Sequence, residues 1–123
     1  MNNICGRKGL ENQRKYKRWQ LSKPLKIIDR KDGRHIGNIT DITIAGVGMI
    51  SKYPLISNVT LELKIDLSNE DNHFNDIELE GKNVWCDKNE IIDRYNAGIE
   101  LENVNEELEK QIKDLIARFG FIK

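Results

Sequence analysis

Apolar residues alternate with polar ones through Val59, Leu61, Leu63, Ile65 and Leu67, with Thr60, Glu62, Lys64 and Asp66 between them. A period of two with one apolar face predicts a half-buried strand. Upstream, Leu25 to Ile28 predicts a first strand, and Asp29-Arg30-Lys31-Asp32-Gly33 supplies the turn residues that send the chain back antiparallel. Ile36, Ile39, Ile42 and Ile44 fall in a β-rich run ending at Gly46, but their spacing is not a clean two. A bulge or bend near Gly37 and Asn38 would reconcile them. Val47 to Ile50 continues the sheet and Tyr53-Pro54 breaks it. Beyond the polar stretch 68–76, Ile77 to Asp87 and Ile91 to Leu101 predict two further strands, with Gly81 and Gly98 marking bulges or closely packed backbone.

At Val104 the period changes to that of a helix. Val104, Leu108, Ile112, Leu115, Ile116 and Phe119 share one face, opened by a box-like Asn103-x-x-Glu106 and stopped at Gly120 after Arg118. Five or more short-linked antiparallel strands followed by one amphipathic helix predict a mainly β domain, a small barrel with the helix packed across it. The helix carries a single apolar stripe, which suits one buried interface, so a monomer is expected in the free state.

The 123 residues suffice for one domain with its own core, without disulfides or a metal. Residues 1–20 are polar, basic and weakly periodic and are expected to form a flexible arm, with residues 21–123 forming the folded unit. No apolar run is long enough to span a bilayer, and the first residues lack the apolar stretch of a secretory signal. A cytoplasmic protein without membrane insertion is the expectation. Cys5 and Cys86 lie far apart and His35 and His73 do not cluster with them, which argues against a disulfide or a zinc site. No metal ligand and no cofactor are expected.

Net charge is zero but unevenly spread. Through Arg34 the chain has eleven Lys or Arg against three Asp or Glu; the remainder has nine against seventeen. The basic third suits a local anionic ligand, and the acidic remainder disfavours a general nucleic-acid surface. Carboxylates are scattered, with no Ser/His/Asp or Cys/His set and no Walker-type loop, so no catalytic residue is assigned and an enzyme is not expected.

The candidate chemistry lies in two short patterns. Arg14 and Arg18, in Gln-Arg-Lys-Tyr-Lys-Arg, precede Asp41-Ile42-Thr43-Ile44-Ala45-Gly46. Two guanidinium groups can clamp phosphates and guanine edges with forked, charge-assisted hydrogen bonds. An acid and a hydroxyl two residues apart on a strand point the same way, and Gly46 permits a tight bend or a close ligand. A strand-end turn in which Asp41 and Thr43 serve local backbone is the plainer alternative.

The order, spacing and β-then-α pattern of these motifs, with the Asn-Val-Trp strand at Trp85 and the later Tyr-Asn-Ala-Gly-Ile-Glu-Leu stretch, resemble the PilZ domain family from about Gln13 to Phe119. The resemblance implies a six-stranded antiparallel barrel and a receptor for cyclic di-guanosine monophosphate (cyclic di-GMP) that changes conformation on binding and signals to a downstream protein. It assigns Arg14 and Arg18 to phosphate and to the O6/N7 edge of guanine, Asp41 to the guanine N1 and N2 donors, Thr43 to a hydroxyl contact and Gly46 to clearance. Thr43 departs from the family's commoner serine. Motility, adhesion or biofilm-type exopolysaccharide synthesis are the outputs it suggests. A single-stranded nucleic-acid binder and a protein-interaction module without ligand are the alternatives. Trp19 and Trp85 are read as packing residues.

Overall fold

The computed structural model describes residues 18–70 and 75–121. Along them run β1 (Trp19–Asp29), β2 (His35–Ile42), β3 (Gly46–Ser51), β4 (Thr60–Asp66), β5 (Ile77–Asn89), β6 (Arg94–Glu102), α1 (Glu106–Phe119) and the two-residue β7 (Gly120–Phe121). Hydrogen bonding joins β2, β3, β6, β5, β4 and β1 in that order, and β1 pairs back with β2. The six strands therefore form a ring in which every neighbour is antiparallel. Closing the ring removes the open edge that would otherwise pair with other chains.

Inside the ring lie Ile27, Ile39, Val47, Leu63, Ile65 and Ile99, all fully buried. From α1, Leu108, Ile112, Leu115 and Phe119 are buried, and the helix packs on β1, β5 and β7. Each such side chain contributes about 1.5–3 kcal/mol through removal from water, so the helix is held by its stripe. Glu106, Glu107 and Glu109 in its first turn and Arg118 in its last also complement the helix dipole.

Several sequence expectations shift when the strands pair. β1 starts at Trp19, well before Leu25, because Trp19 and Gln20 align with Ile42 and Asp41. Its register with β2 then jumps between Gln20 and Leu25, and Pro24, which has no N–H to donate, sits in that gap. The expected bulge near Gly37 and Asn38 is two irregularities that flank this pair. Ile27 aligns with Gly37 and Ile28 with His35, which leaves Ile36 over; Ile39 aligns with Met49 and Asp41 with Gly48, which leaves Thr40 over. The extra Thr40 explains how Ile39 and Ile42, three residues apart, both reach the interior.

The helix N-cap is Asn105, not Asn103. Asn105 Oδ1 accepts from Leu108 N at 2.8 Å, whereas Asn103 lies outside the helix with φ of 55°. Ile91 and Ile92 belong to the turn between β5 and β6 rather than to a strand, and Ile91 is 94% exposed. The turn at Asp29–Gly33 forms as expected, with Gly33 at φ 75° and its N–H on Asp29 O at 2.8 Å.

Candidate functional site

A single cross-strand row organises the outer surface of the ring. Asp41 on β2 aligns with Gly48 on β3, Gly48 with Gly98 on β6, and Gly98 with Trp85 on β5. The neighbouring row, Ile42, Val47, Ile99 and Asn83, is buried in the interior. Since successive side chains leave a strand on opposite faces, the first row faces outward.

The two glycines make room for the two large groups beside them. A Cβ on Gly48 would collide with the Asp41 carboxylate, and one on Gly98 would collide with the Trp85 indole. The acid and the ring thus lean toward each other across a glycine floor. Asp41 is only 6% exposed, although it belongs to the outward row. Arg18 covers it: Nε donates to Oδ2 at 3.0 Å and Nη2 to the same oxygen at 2.5 Å. Asp41 Oδ1 accepts from the Thr40 hydroxyl at 3.2 Å. Trp85 Nε1 is buried and has no hydrogen-bond partner among the described residues. A donor in that state is costly unless something supplies an acceptor.

Thr43 is placed differently from its sequence reading. It lies just beyond the end of β2, so it does not share a strand face with Asp41. Its Oγ1 accepts from Ala45 N and Gly46 N, each at 2.9 Å, and its own N–H donates to Gly46 O at 2.8 Å. The hydroxyl therefore staples the bend between β2 and β3, a use that threonine and serine share. Ala45 O accepts from Leu101 N at 2.9 Å, which ties the bend to β6. Gly46 is not left-handed, so its backbone freedom is not what this bend uses.

Of the five residues read from the sequence, the fold brings Arg18 and Asp41 into contact and puts Thr43 and Gly46 in the adjoining bend. Arg14 lies outside the described residues. Gly48 was missed because its role depends on a partner strand. Trp85 was read as packing, and only its alignment with Gly98 puts it on the outer row. Among the described residues no group of three or more His, Cys, Asp or Glu could hold a metal ion, and no helix is long and apolar enough to cross a membrane.

This closed strand ring, its helix and the arginine-covered acid on the outer row define a small β-ring domain. The PilZ domain family model matches residues 12–118, and the chain belongs to that family. None of the curated proteins compared with it matches in sequence. Among solved structures, the inhibitor of motility MotI/DgrA of Bacillus subtilis superposes with a TM-score of 0.65 at 18% identity, covering 96% of this chain and 53% of that one. The PilZ domain of Escherichia coli YcgR, solved with c-di-GMP, gives 0.67 at 11% identity over 86% of this chain and 90% of that one. The longer YcgR complex with c-di-GMP gives 0.67 at 14%, covering 86% of this chain and 45% of that one. The chain thus spans about half the length of MotI and of the longer YcgR. At these identities the likeness is one of fold.

Proposed function

We propose that this protein is a receptor for cyclic di-GMP that acts by binding and by presenting a changed surface to a partner, without catalysis. The observation that carries the reading is the Arg18–Asp41 pair beside the Gly48–Gly98 floor. A guanine presents two donors, N1–H and N2–H, to a carboxylate, and its O6/N7 edge to a guanidinium. The two partners held together in the free chain are the two that a guanine would separate. Binding then exchanges one internal ion pair for two pairs with the ligand, and Arg14 adds a second guanidinium for the phosphodiesters.

Trp85 adds a flat apolar surface for a base and an indole N–H in need of an acceptor. Thr43 acts in this scheme by fixing the bend, a task that serine would perform equally, so its methyl is no obstacle. Membership of the PilZ family and the c-di-GMP named with YcgR support the choice of ligand. The motility named with MotI supports motility as the output. In this reading the protein works in the cytoplasm, its six-stranded ring is a barrel, and the free chain is a monomer.

Calorimetric titration of the full chain with cyclic di-GMP tests it. Saturable binding with one or two nucleotides per chain, absent with linear guanine dinucleotides and random oligonucleotides, is the expected outcome. Equal, salt-sensitive binding of the oligonucleotides would replace the receptor by a single-strand binder.

A further inference from the structure

A second concave site lies at the opposite end of β3 from the Thr43–Gly46 bend. It is a cavity of about 500 Å³ lined by residues of β2, the end of β3, the segment after it and the start of β6. Its cations are Arg34, Lys52 and Arg94, and no Asp or Glu is among its lining residues. Arg34 Nε lies 4.0 Å from Asp32 Oδ2, so the positive potential of this wall rests chiefly on Lys52 and Arg94.

The rim carries the aromatic side chain of Tyr53 on a backbone held by local hydrogen bonds. Tyr53 is 67% exposed, yet its backbone is pinned by the buried Ser51, whose Oγ donates to Tyr53 O at 2.6 Å and accepts from Tyr53 N at 3.2 Å. Lys52 Nζ lies 5.7 Å from the Tyr53 ring centre. Ser51 aligns with Tyr95 and Arg94 with Asn89, so the exposed Ile91 and Ile92 occupy the turn immediately beyond this same end of the sheet. Covering Tyr53 adds little backbone ordering cost because its backbone is already held, and Tyr and Arg are enriched among the residues that anchor protein interfaces.

We propose that this end of the ring is a docking surface for a protein partner, taking a segment in which acidic residues alternate with large apolar ones. The carboxylates would meet Arg34, Lys52 and Arg94, and the apolar residues would cover Tyr53 and enter the cavity. The chain's own first 17 residues do not suit it, since they carry five Lys or Arg against one Glu. An anionic membrane is disfavoured because Glu90 and Asp93 flank Ile91 and Ile92 at the tip that would have to insert. The inference rests on this surface alone and is independent of the nucleotide reading.

The test is a titration of the isotope-labelled full chain, followed by amide chemical shifts, with a synthetic peptide of alternating Glu and Phe or Leu. A peptide of the same length with Lys for Glu, one with Ser for the apolar residues, and phosphatidylglycerol vesicles serve as the other arms. Saturable shifts at Lys52, Tyr53 and Arg94 with the first peptide only are expected. The exposed-site variant Lys52→Glu/Arg94→Glu should weaken that binding about tenfold or more, and Tyr53→Ser should weaken it while circular dichroism stays unchanged. Binding of the Lys peptide or the vesicles as strongly as the Glu peptide would overturn the proposal. So would shifts confined to other faces, no binding at all, or sedimentation showing that a second copy of the chain covers this end.

Discussion

Two adjacent rows of the same four strands meet opposite fates. Ile42, Val47, Ile99 and Asn83 are interior and at most 1% exposed, whereas Asp41, Gly48, Gly98 and Trp85, one position away on each strand or, on β5, beyond an extra residue, form the outer row. The inner row is chosen for volume. The outer row is chosen for lack of it, because two glycines clear the space into which an acid and an indole lean. In the proposed reading stability and recognition are separated by a single step along the backbone, and substitutions should sort by row.

The largest effect should come from the inner side. Ile99→Ala, and equally Leu115→Ala beneath the helix, should cost about 2–5 kcal/mol by urea unfolding, as deletion of fully buried aliphatic groups does. Neither should alter nucleotide affinity at temperatures where the chain remains folded. If either variant instead lost affinity at full stability, the two rows would not be independent.

Next in size is the outer pair. Arg18→Ala should weaken cyclic di-GMP binding by about 2 kcal/mol, roughly thirtyfold, through loss of charge-assisted bonds. Asp41→Ala should weaken guanine recognition comparably, and Arg14→Ala should do so without a change in melting temperature. Wild-type affinity in the arginine variants would show that neither guanidinium contacts the nucleotide.

A smaller effect should follow from refilling the floor. Gly48→Ala places a methyl where the Asp41 carboxylate lies, so the acid must move. Affinity should drop by about tenfold or 1.4 kcal/mol, as an acceptor moved out of line forfeits a hydrogen bond. Gly98→Ala should shift the fluorescence of Trp85 in the same experiment. Retention of both affinity and fluorescence would show that the floor is not needed.

The smallest effect separates Thr43 from the ligand. Thr43→Ala should cost about 1 kcal/mol of stability through the two backbone N–H groups it leaves unserved, and Thr43→Ser should restore it. Affinity should follow stability in both variants. A selective loss of affinity in Thr43→Ala at unchanged stability would restore direct contact with the nucleotide.

Much of this architecture was legible because it depends on local period. The alternation through Leu63, Ile65 and Leu67 and the stripe through Leu108, Ile112, Leu115 and Phe119 are buried as a one-sided pattern requires, although Val59 at the start of the first and Val104 ahead of the second are exposed; the turn at Asp29–Gly33 was legible from its turn residues instead. Element ends were less legible. The start of β1 depends on Trp19 and Gln20 finding Ile42 and Asp41, and the N-cap depends on Asn103 turning left-handed to bond Glu80, both of which are long-range events.

The candidate site divides in the same way. The types and order of Arg18, Asp41, Thr43 and Gly46 are written in the chain, since charge and hydrogen-bonding capacity belong to the residue itself. Their arrangement is not. An extra Thr40 sets the phase of β2, strand register puts Gly48 and Gly98 between Asp41 and Trp85, and the bend claims the Thr43 hydroxyl for its own amides. Sequence alone determined which groups were available. Only the tertiary pairing decided which of them meet, because a β-ring joins residues far apart in the chain and a one-residue change of register moves a side chain to the other face.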